Sequence, residues 1–111
     1  MSAVTTHVLD TGHGRPAAGV LVRLVQVAGA EDAVLAAGTT DEDGRLTSLG
    51  PDRVSPGTYR LVLNTAGYFS RTGQPCFFPE VSLSFVVADP DQHHHVPVLL
   101  SPFAYSTYRG S

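Results

Sequence analysis

The sequence has 111 residues, of which 42% are hydrophobic and 15% charged, and its formal net charge is −3. This length fits one domain over residues 1–111, and the low charged fraction indicates surface that is buried between subunits. The acidic balance excludes a basic surface for nucleic acid or anionic membrane. No apolar run approaches the ~20 residues that cross a bilayer. Because the first residues do not resemble a secretory signal, we expect a cytoplasmic protein.

Short runs rich in Val, Leu, Thr and Tyr alternate with Gly, Pro and Asp along the whole chain, a pattern typical of all-β domains. A short helix or a turn is predicted for 65–73, and a tight turn for 41–44, where Gly44 is free to take a positive φ. Seven or eight short strands favour a β-sandwich. The predicted strands, in chain order, are 3–9, 20–27, 33–40, 45–48, 58–64, 82–88, 94–100 and 105–109.

Histidines occur in two of these predicted strands. His7 in the first strand shares a face with Thr5 and Leu9, because strand side chains alternate. By the same alternation His93 and His95 share one face, and His94 points to the other. A histidine in a strand is commonly an ordinary hydrogen-bonded residue, but it is also the side chain best suited to general-base chemistry near neutral pH.

Other candidate residues lie outside the histidine strands. Arg45 directly follows the 41–44 turn and is either a surface arginine beside acids or a partner for an anionic group. Arg109 is either a strut for the last strand or a ligand contact. His13, in a glycine-flanked turn, is predicted to be a surface residue. The single cysteine, Cys76, excludes an internal disulfide scaffold and is predicted to be packed rather than nucleophilic.

The C-terminal segment 93–111 ends without a polar tail, so we expect its last residues to be part of a site, and an extension beyond Ser111 to harm activity more than folding. No phosphate-binding loop, nucleophile elbow or zinc-protease motif is found in the sequence. The remaining hypothesis is a reaction in which histidine activates a water molecule.

Three blocks of sequence together resemble the 5-hydroxyisourate hydrolases, the transthyretin-related enzymes of urate breakdown. The Tyr-Arg-Gly-Ser ending is the most specific of the features that carry the resemblance, since it is similar to the one that separates the hydrolases from the hormone-carrying transthyretins. The blocks are 6–10 (Thr-His-Val-Leu-Asp) with 14–20 (Gly-x-Pro-Ala-x-Gly-Val), 40–45 (Thr-x-x-Asp-Gly-Arg), and 93–97 (His-x-His-Val-Pro) with 105–111 (Tyr-Ser-Thr-Tyr-Arg-Gly-Ser).

The resemblance implies a transthyretin-like β-sandwich of two four-stranded sheets with one short helix, assembled as a homotetramer (a dimer of dimers) with sites at the dimer–dimer interface. It implies no cofactor. His94 departs from the tyrosine that is common at that position in relatives. Matched position by position, the catalytic residues fall on His7, Arg45, His95 and Ser111, and the substrate-binding residues on His7, Arg45, Tyr108 and Ser111.

The implied reaction is hydrolysis of the six-membered ring of 5-hydroxyisourate to 2-oxo-4-hydroxy-4-carboxy-5-ureidoimidazoline. Our hypothesis is that His7 and His95, positioned by a neighbouring hydroxyl, activate a water molecule. Arg45 would polarise the attacked amide or hold the anionic substrate, and Ser111 would supply a hydrogen bond from its hydroxyl or carboxylate. The sequence leaves open which histidine is the base.

Two alternatives stay open at this point. The first is a transthyretin-like carrier of small aromatic ligands without catalysis, which would favour apolar and hydroxyl residues where this chain has two histidines and an arginine. The second is zinc binding by His7, His93 and His95, physiological or incidental, since imidazole is a common zinc ligand.

Overall fold

The computed structural model describes residues 2–111; Met1, the first residue of the predicted 1–111 domain, lies outside the described residues. Two sheets and one helix make up the fold. The elements are β1 (Val4–Asp10), β2 (Arg15–Pro16), β3 (Leu21–Ala28), β4 (Glu31–Thr39), β5 (Arg45–Leu46), β6 (Gly57–Leu63), α1 (Thr65–Arg71), β7 (Val81–Val87), β8 (His94–Ser101) and β9 (Ala104–Thr107).

Strand β1 is the organising strand of the first sheet, whose order is β2-β1-β8-β9 with β5 also pairing β1. The β1–β8 pairing is parallel, with Thr5 opposite His95 and His7 opposite Pro97. The pairing of β1 with β5 is antiparallel and places Arg45 opposite His7. One central strand therefore aligns segments that are about forty and ninety residues away in the chain.

The second sheet has the antiparallel order β4-β3-β6-β7. The first half of β3 alternates: Val22 and Leu24 are fully buried, while Leu21 before them and Arg23 between them are exposed. The two sheets enclose one cluster of buried apolar side chains, in which each fully buried Val, Leu or Phe contributes about 1.5–3 kcal/mol by leaving water. The all-β sandwich is confirmed.

One of the two sheets has a different number of strands from the predicted four. The second sheet has four strands, whereas the first counts five because two-residue strands, β2 and β5, both pair β1. The predicted strand 45–48 shrinks to Arg45–Leu46. The strand predicted for 33–40 begins earlier, at Glu31, because only Gly29 and Ala30 form the hairpin turn.

A helix, α1, resolves the ambiguity of segment 65–73. The Asn64 side chain caps it by accepting a hydrogen bond from the Gly67 N–H at 3.1 Å. Tyr68 and Phe69 on its inner side are buried, and the Tyr68 hydroxyl donates to the fully buried carboxylate of Asp10 at 2.6 Å. The helix is thereby fixed to the end of β1. No helix within residues 2–111 has the length and apolar character to span a membrane.

Candidate functional site

The outer face of the first sheet, the side turned away from the core, carries the sequence-predicted site. Along β1, Val4, Thr6 and Val8 point into the core and are fully buried, so Thr5 and His7 point outwards. The same alternation on β8 buries His94 and turns His95 outwards. The fold therefore places His94 on the opposite side of the strand from His95, as the alternation predicts.

The strand register brings His7, Arg45 and His95 onto this outer face. His7 lies directly opposite Arg45 across the β1–β5 pair, and His95 lies opposite Thr5, two residues along β1 from His7. Side chains at such opposite and diagonal positions are within reach of one another. Three residues that are far apart in the chain are thus neighbours in the sheet.

Arg45 is held in place by a turn that its own backbone helps to close. The Asp41 carboxylate accepts the backbone N–H groups of Asp43 and Arg45, each at 2.9 Å. Gly44 takes the predicted positive φ of 75°, and a Cβ there would lie 2.3 Å from the carbonyl oxygen of Val8. Only glycine therefore lets the turn approach β1 closely enough for β5 to pair with it.

His7 has one ring nitrogen committed to the same turn. Its Nε2 lies 2.8 Å from the backbone carbonyl oxygen of Asp43. Since a carbonyl only accepts hydrogen bonds, Nε2 carries the hydrogen. When the His7 ring is neutral, Nδ1 is therefore the nitrogen with a free lone pair.

His95 is half-buried and electrostatically surrounded by cationic or cationisable groups. Its Nδ1 lies 2.8 Å from the Thr5 hydroxyl, which also lies 2.9 Å from His93 Nε2. Burial, with further contributions from His93, Arg45 and His7, lowers the pKa of His95 below its ordinary value. His95 is therefore a neutral imidazole at neutral pH, as a base that takes a proton from water requires.

The segment after β9 returns to His95. The Gly110 N–H donates to the His95 carbonyl oxygen at 2.8 Å in an isolated antiparallel bridge. A Cβ on Gly110 would lie 2.6 Å from Cδ2 of the His95 ring, so this position also requires glycine, for steric reasons alone. Ser111 follows as an exposed residue beside this bridge.

Tyr108 is exposed and lines a cavity of about 330 Å³ together with His94, His95 and Arg109. The cavity lies between β7 and the chain end, and neither His7 nor Arg45 lines it. Tyr108 is therefore brought close to one member of the predicted site, His95, from the side of the sheet edge.

Several other sequence-predicted residues have structural partners. Arg109 donates to the Gln92 side chain at 3.1 Å and also lines the cavity, so both the strut and the ligand contact stay open for it. His13 is exposed, and its backbone N–H bonds Asp10. Cys76 is half-buried and packs against the core, as predicted.

No group of three His, Cys, Asp or Glu side chains within residues 2–111 is arranged to hold a metal ion. The zinc alternative at His7, His93 and His95 therefore lacks the required convergence within one chain. The nitrogens of two of these residues, His93 Nε2 and His95 Nδ1, are instead bonded to Thr5.

The sequence analysis assigns no role to two residues of the site, Thr5 and Gly110. Thr5 is noted only as sharing the face of His7, and Gly110 only as part of the ending. The alternation of β1 is the signal that points to Thr5. The closeness of Gly110 to His95 has no local signal, because it depends on a bridge between β8 and the segment after β9.

Comparisons with known proteins identify the family to which the chain is similar. Residues 4–110 match the model of the HIUase/Transthyretin family. A 5-hydroxyisourate hydrolase of Pseudomonas aeruginosa is 42% identical over 117 residues, covering 100% of this chain and 93% of that protein. The structure of Klebsiella pneumoniae 5-hydroxyisourate hydrolase superimposes with a TM-score of 0.84 at 34% identity, covering 100% of this chain and 94% of that chain.

A transthyretin is also among the similar structures. Sea bream transthyretin in complex with thyroxine superimposes with a TM-score of 0.89 at 28% identity, covering 97% of this chain and 94% of that chain. The fold alone therefore does not separate enzymes from carriers, and the side chains on the outer face must do so. The match over residues 4–110 and the full-length similarity establish the wider group: this chain belongs to the HIUase/transthyretin family.

Proposed function

We propose that this protein is a 5-hydroxyisourate hydrolase, which opens the six-membered ring of its substrate to give 2-oxo-4-hydroxy-4-carboxy-5-ureidoimidazoline. The observation that carries the proposal is the register of β1, which places His7 opposite Arg45 and Thr5 opposite His95 on one face. The Pseudomonas aeruginosa and Klebsiella pneumoniae relatives that bear this name support the same reaction. No cofactor takes part in the proposed reaction.

The proposed roles follow from the hydrogen bonds of each group. His95, neutral and bound through Nδ1 to Thr5, takes a proton from the attacking water. His7, with a free lone pair on Nδ1, accepts a second hydrogen bond from that water or from a substrate N–H. Arg45 stabilises the negative charge that develops on the attacked carbonyl oxygen, as a fixed cation in a desolvated site does.

Ser111 and Tyr108 complete the proposed site as substrate contacts. Ser111 follows Gly110, which is bridged to His95, and its proposed role is a hydrogen bond to water or substrate from its hydroxyl or its carboxylate. Tyr108 lines the same cavity as His95 and offers an aromatic face and a hydroxyl to a planar ring.

We further propose a cytoplasmic homotetramer, a dimer of dimers, in which two outer faces meet to close the site. In the single chain Arg45 is exposed, and the polar cluster around it is open. A second copy facing it would exclude water and strengthen every charge interaction within the site. 5-Hydroxyisourate is the proposed small-molecule partner.

The test is the decay of 5-hydroxyisourate absorbance after its generation from urate by urate oxidase. We expect the intact protein to accelerate the decay, and His95→Asn and Arg45→Ala to lower kcat by about 10²–10⁴-fold. The matched controls are His13→Asn, in an exposed turn, and Arg60→Ala, on the other sheet beside Asp32. Near-normal turnover by either site variant would contradict the proposed roles.

The carrier alternative predicts a different result in the same experiment. A carrier would leave the decay unchanged and would bind small aromatic ligands tightly instead. The outer face argues against it, because two imidazoles and a guanidinium form a polar surface where an aromatic ligand needs apolar contacts.

A further inference from the structure

The Thr5 hydroxyl lies between two imidazole rings. Its Oγ1 is 2.8 Å from His95 Nδ1 and 2.9 Å from His93 Nε2. Thr5 itself is only 2% exposed, so both histidines reach it from the outer face while solvent is excluded from the hydroxyl. The two rings are nearly parallel, with centroids 6.3 Å apart.

Counting hydrogens restricts the protonation of the two rings. A hydroxyl donates one hydrogen and accepts at its lone pairs. The Thr5 hydroxyl can therefore donate to one ring nitrogen and accept from the other. This requires that one of the two ring nitrogens is protonated and the other is not. If both nitrogens carried hydrogens, the buried Thr5 hydrogen would lack an acceptor, at a cost of about 1–3 kcal/mol. The tautomers of His93 and His95 are therefore coupled through Thr5.

The charges on the outer face select one of the two coupled arrangements. Arg45 and His7 lie on the same face as His95. A nearby cation attracts the lone pair of an unprotonated ring nitrogen and repels the hydrogen of a protonated one, so it favours an unprotonated nitrogen on the side that faces it. The favoured arrangement has His95 Nδ1–H donating to Thr5, the Thr5 hydroxyl donating to His93 Nε2, and His95 Nε2 bare.

We propose that Thr5 is a positioning residue which, with the exposed His93, forms a proton relay that keeps His95 Nε2 unprotonated and carries protons between the site and solvent. His93 is exposed, whereas His95 is half-buried. The relay thus ends at a group that exchanges protons freely with water.

The step balances in protons and charge. His95 Nε2 takes one proton from the attacking water as the hydroxide forms its bond to the ring carbonyl. The Nδ1 proton passes to Thr5 Oγ1, the Thr5 hydrogen passes to His93 Nε2, and His93 Nδ1 releases its proton to solvent. The positive charge does not remain beside Arg45 and His7.

The relay runs backwards when the ring C–N bond breaks. His95 Nε2 gives its proton to the leaving nitrogen, Nδ1 recovers a hydrogen from Thr5, and Thr5 recovers one from His93, which takes a proton from solvent. One histidine thereby serves as base and then as acid, and the sum is addition of one water across the C–N bond.

The relay rests on the proposed hydrolase function, but its first test does not. Nitrogen-15 chemical shifts of the imidazole rings report which nitrogen carries the hydrogen in the folded protein without substrate. We expect His95 to be protonated at Nδ1 and bare at Nε2 near neutral pH. A His95 ring protonated at Nε2 and bare at Nδ1 would overturn the relay, even in an active hydrolase.

The second test uses two variants of one residue. Thr5→Val keeps the shape and removes the hydroxyl, whereas Thr5→Ser keeps the hydroxyl. We expect Thr5→Val to abolish the His95 tautomer preference and to lower kcat by about 10–100-fold with little change in KM, by analogy with the loss of partners that orient ligand histidines. Thr5→Ser should retain both. Unchanged kcat in Thr5→Val would overturn the positioning role.

The control and the far end of the relay need separate variants. Thr6→Val makes the same substitution on the core side, where Thr6 donates to the Val96 carbonyl oxygen at 2.6 Å, and it should leave the His95 tautomer unchanged. His93→Phe should lower kcat, and added imidazole should restore part of the loss; no loss would overturn the proton exit. If the unsubstituted protein shows no turnover while the tautomer is as expected, the hydrolase function fails and the tautomer assignment stands.

Discussion

Gly110 shows how one missing Cβ shapes the candidate site. Its φ is not in the left-handed region, so the backbone alone does not demand glycine. The demand comes from the His95 ring, which would lie 2.6 Å from a Cβ at this position. The His95 ring, the proposed general base, is therefore packed directly against the backbone of the chain end.

We predict that Gly110→Ala displaces the His95 ring and lowers kcat by at least about tenfold, because an error of about 1 Å in a reacting group costs as much as 10²-fold. The melting temperature should change little, since the segment lies at the edge of the sheet. Steady-state turnover and thermal unfolding measure the two effects. Gly67→Ala is the matched control, because its Cβ meets only the flexible Asn64 side chain, at 3.1 Å. Full activity in Gly110→Ala would show that the ring is not held by this contact.

His94 is a buried titratable residue on the core side of the same strand. It is 5% exposed, and its Nδ1 has no hydrogen-bond partner among the described residues. Burial, and next the charge of Arg109, lower the pKa of His94 below its ordinary value of 6.5. A depressed pKa in the folded state means that the unfolded chain binds the proton more tightly, so stability rises with pH in this range.

We predict that His94→Phe reduces the loss of stability on acidification. The contribution of neutral His94 is fully present above pH 6.5, the ordinary value, and is lost as the pH falls through the lowered pKa. His95, whose pKa is also lowered, keeps part of the slope in the variant. Urea unfolding at about pH 7 and about pH 5 gives the two free energies. Equal losses in the variant and the unsubstituted protein would contradict this assignment.

At the scale of elements, the short turn 41–44 and the two-residue strand β5 position groups of the candidate site against β1. The Asp41 carboxylate closes the turn, and the Val8 N–H bonds the Gly44 carbonyl oxygen at 2.7 Å. Asp43 then offers its carbonyl oxygen to His7. One turn thus sets both the position of Arg45 and the tautomer of His7.

We predict that Gly44→Ala costs both stability and activity, because its Cβ would lie 2.3 Å from the Val8 carbonyl oxygen in a backbone with a φ of 75°. Gly14→Ala is a matched control: its φ is 66°, but nothing lies within 4 Å of its Cβ. Backbone strain of about 1–3 kcal/mol should appear in both variants, and the further loss of stability and of kcat only in Gly44→Ala. Denaturant unfolding and turnover measure them. Equal effects would mean that close approach to β1 is unimportant.

At the scale of the whole molecule, the sequence predicts the strands better than it predicts the way they meet. Alternation in the 20–27 and 58–64 segments follows from local burial, so those strands are close to their predicted bounds. The positive φ of Gly44 also follows from its turn. The parallel pairing of β1 with β8 has no local signature, because it joins residues about ninety positions apart. That pairing places Thr5 between two histidines, which only three-dimensional structure reveals.

Assembly is the property of the whole molecule that the proposed function most needs. The outer face of the first sheet carries the site and continues along β1 and β8 to Leu9 and Leu99, which lie opposite each other and are half-buried. Two such faces brought together would bury these leucines next to the polar cluster. A charge introduced among them would lose its hydration on assembly, and that cost is several kcal/mol per ion.

We predict that Leu99→Glu splits the proposed tetramer into dimers and lowers kcat, although no proposed catalytic residue changes. Leu99→Lys should do the same despite its opposite charge, which separates a loss of assembly from an electrostatic effect on His7 or Arg45. Val34→Glu, at a 57% exposed position of the other sheet, is the control and should remain tetrameric and active. Sedimentation velocity gives the mass, and the 5-hydroxyisourate assay at several protein concentrations gives the activity. If both Leu99 variants stayed tetrameric, or became dimers with full activity, the outer face would not be the surface that closes the site.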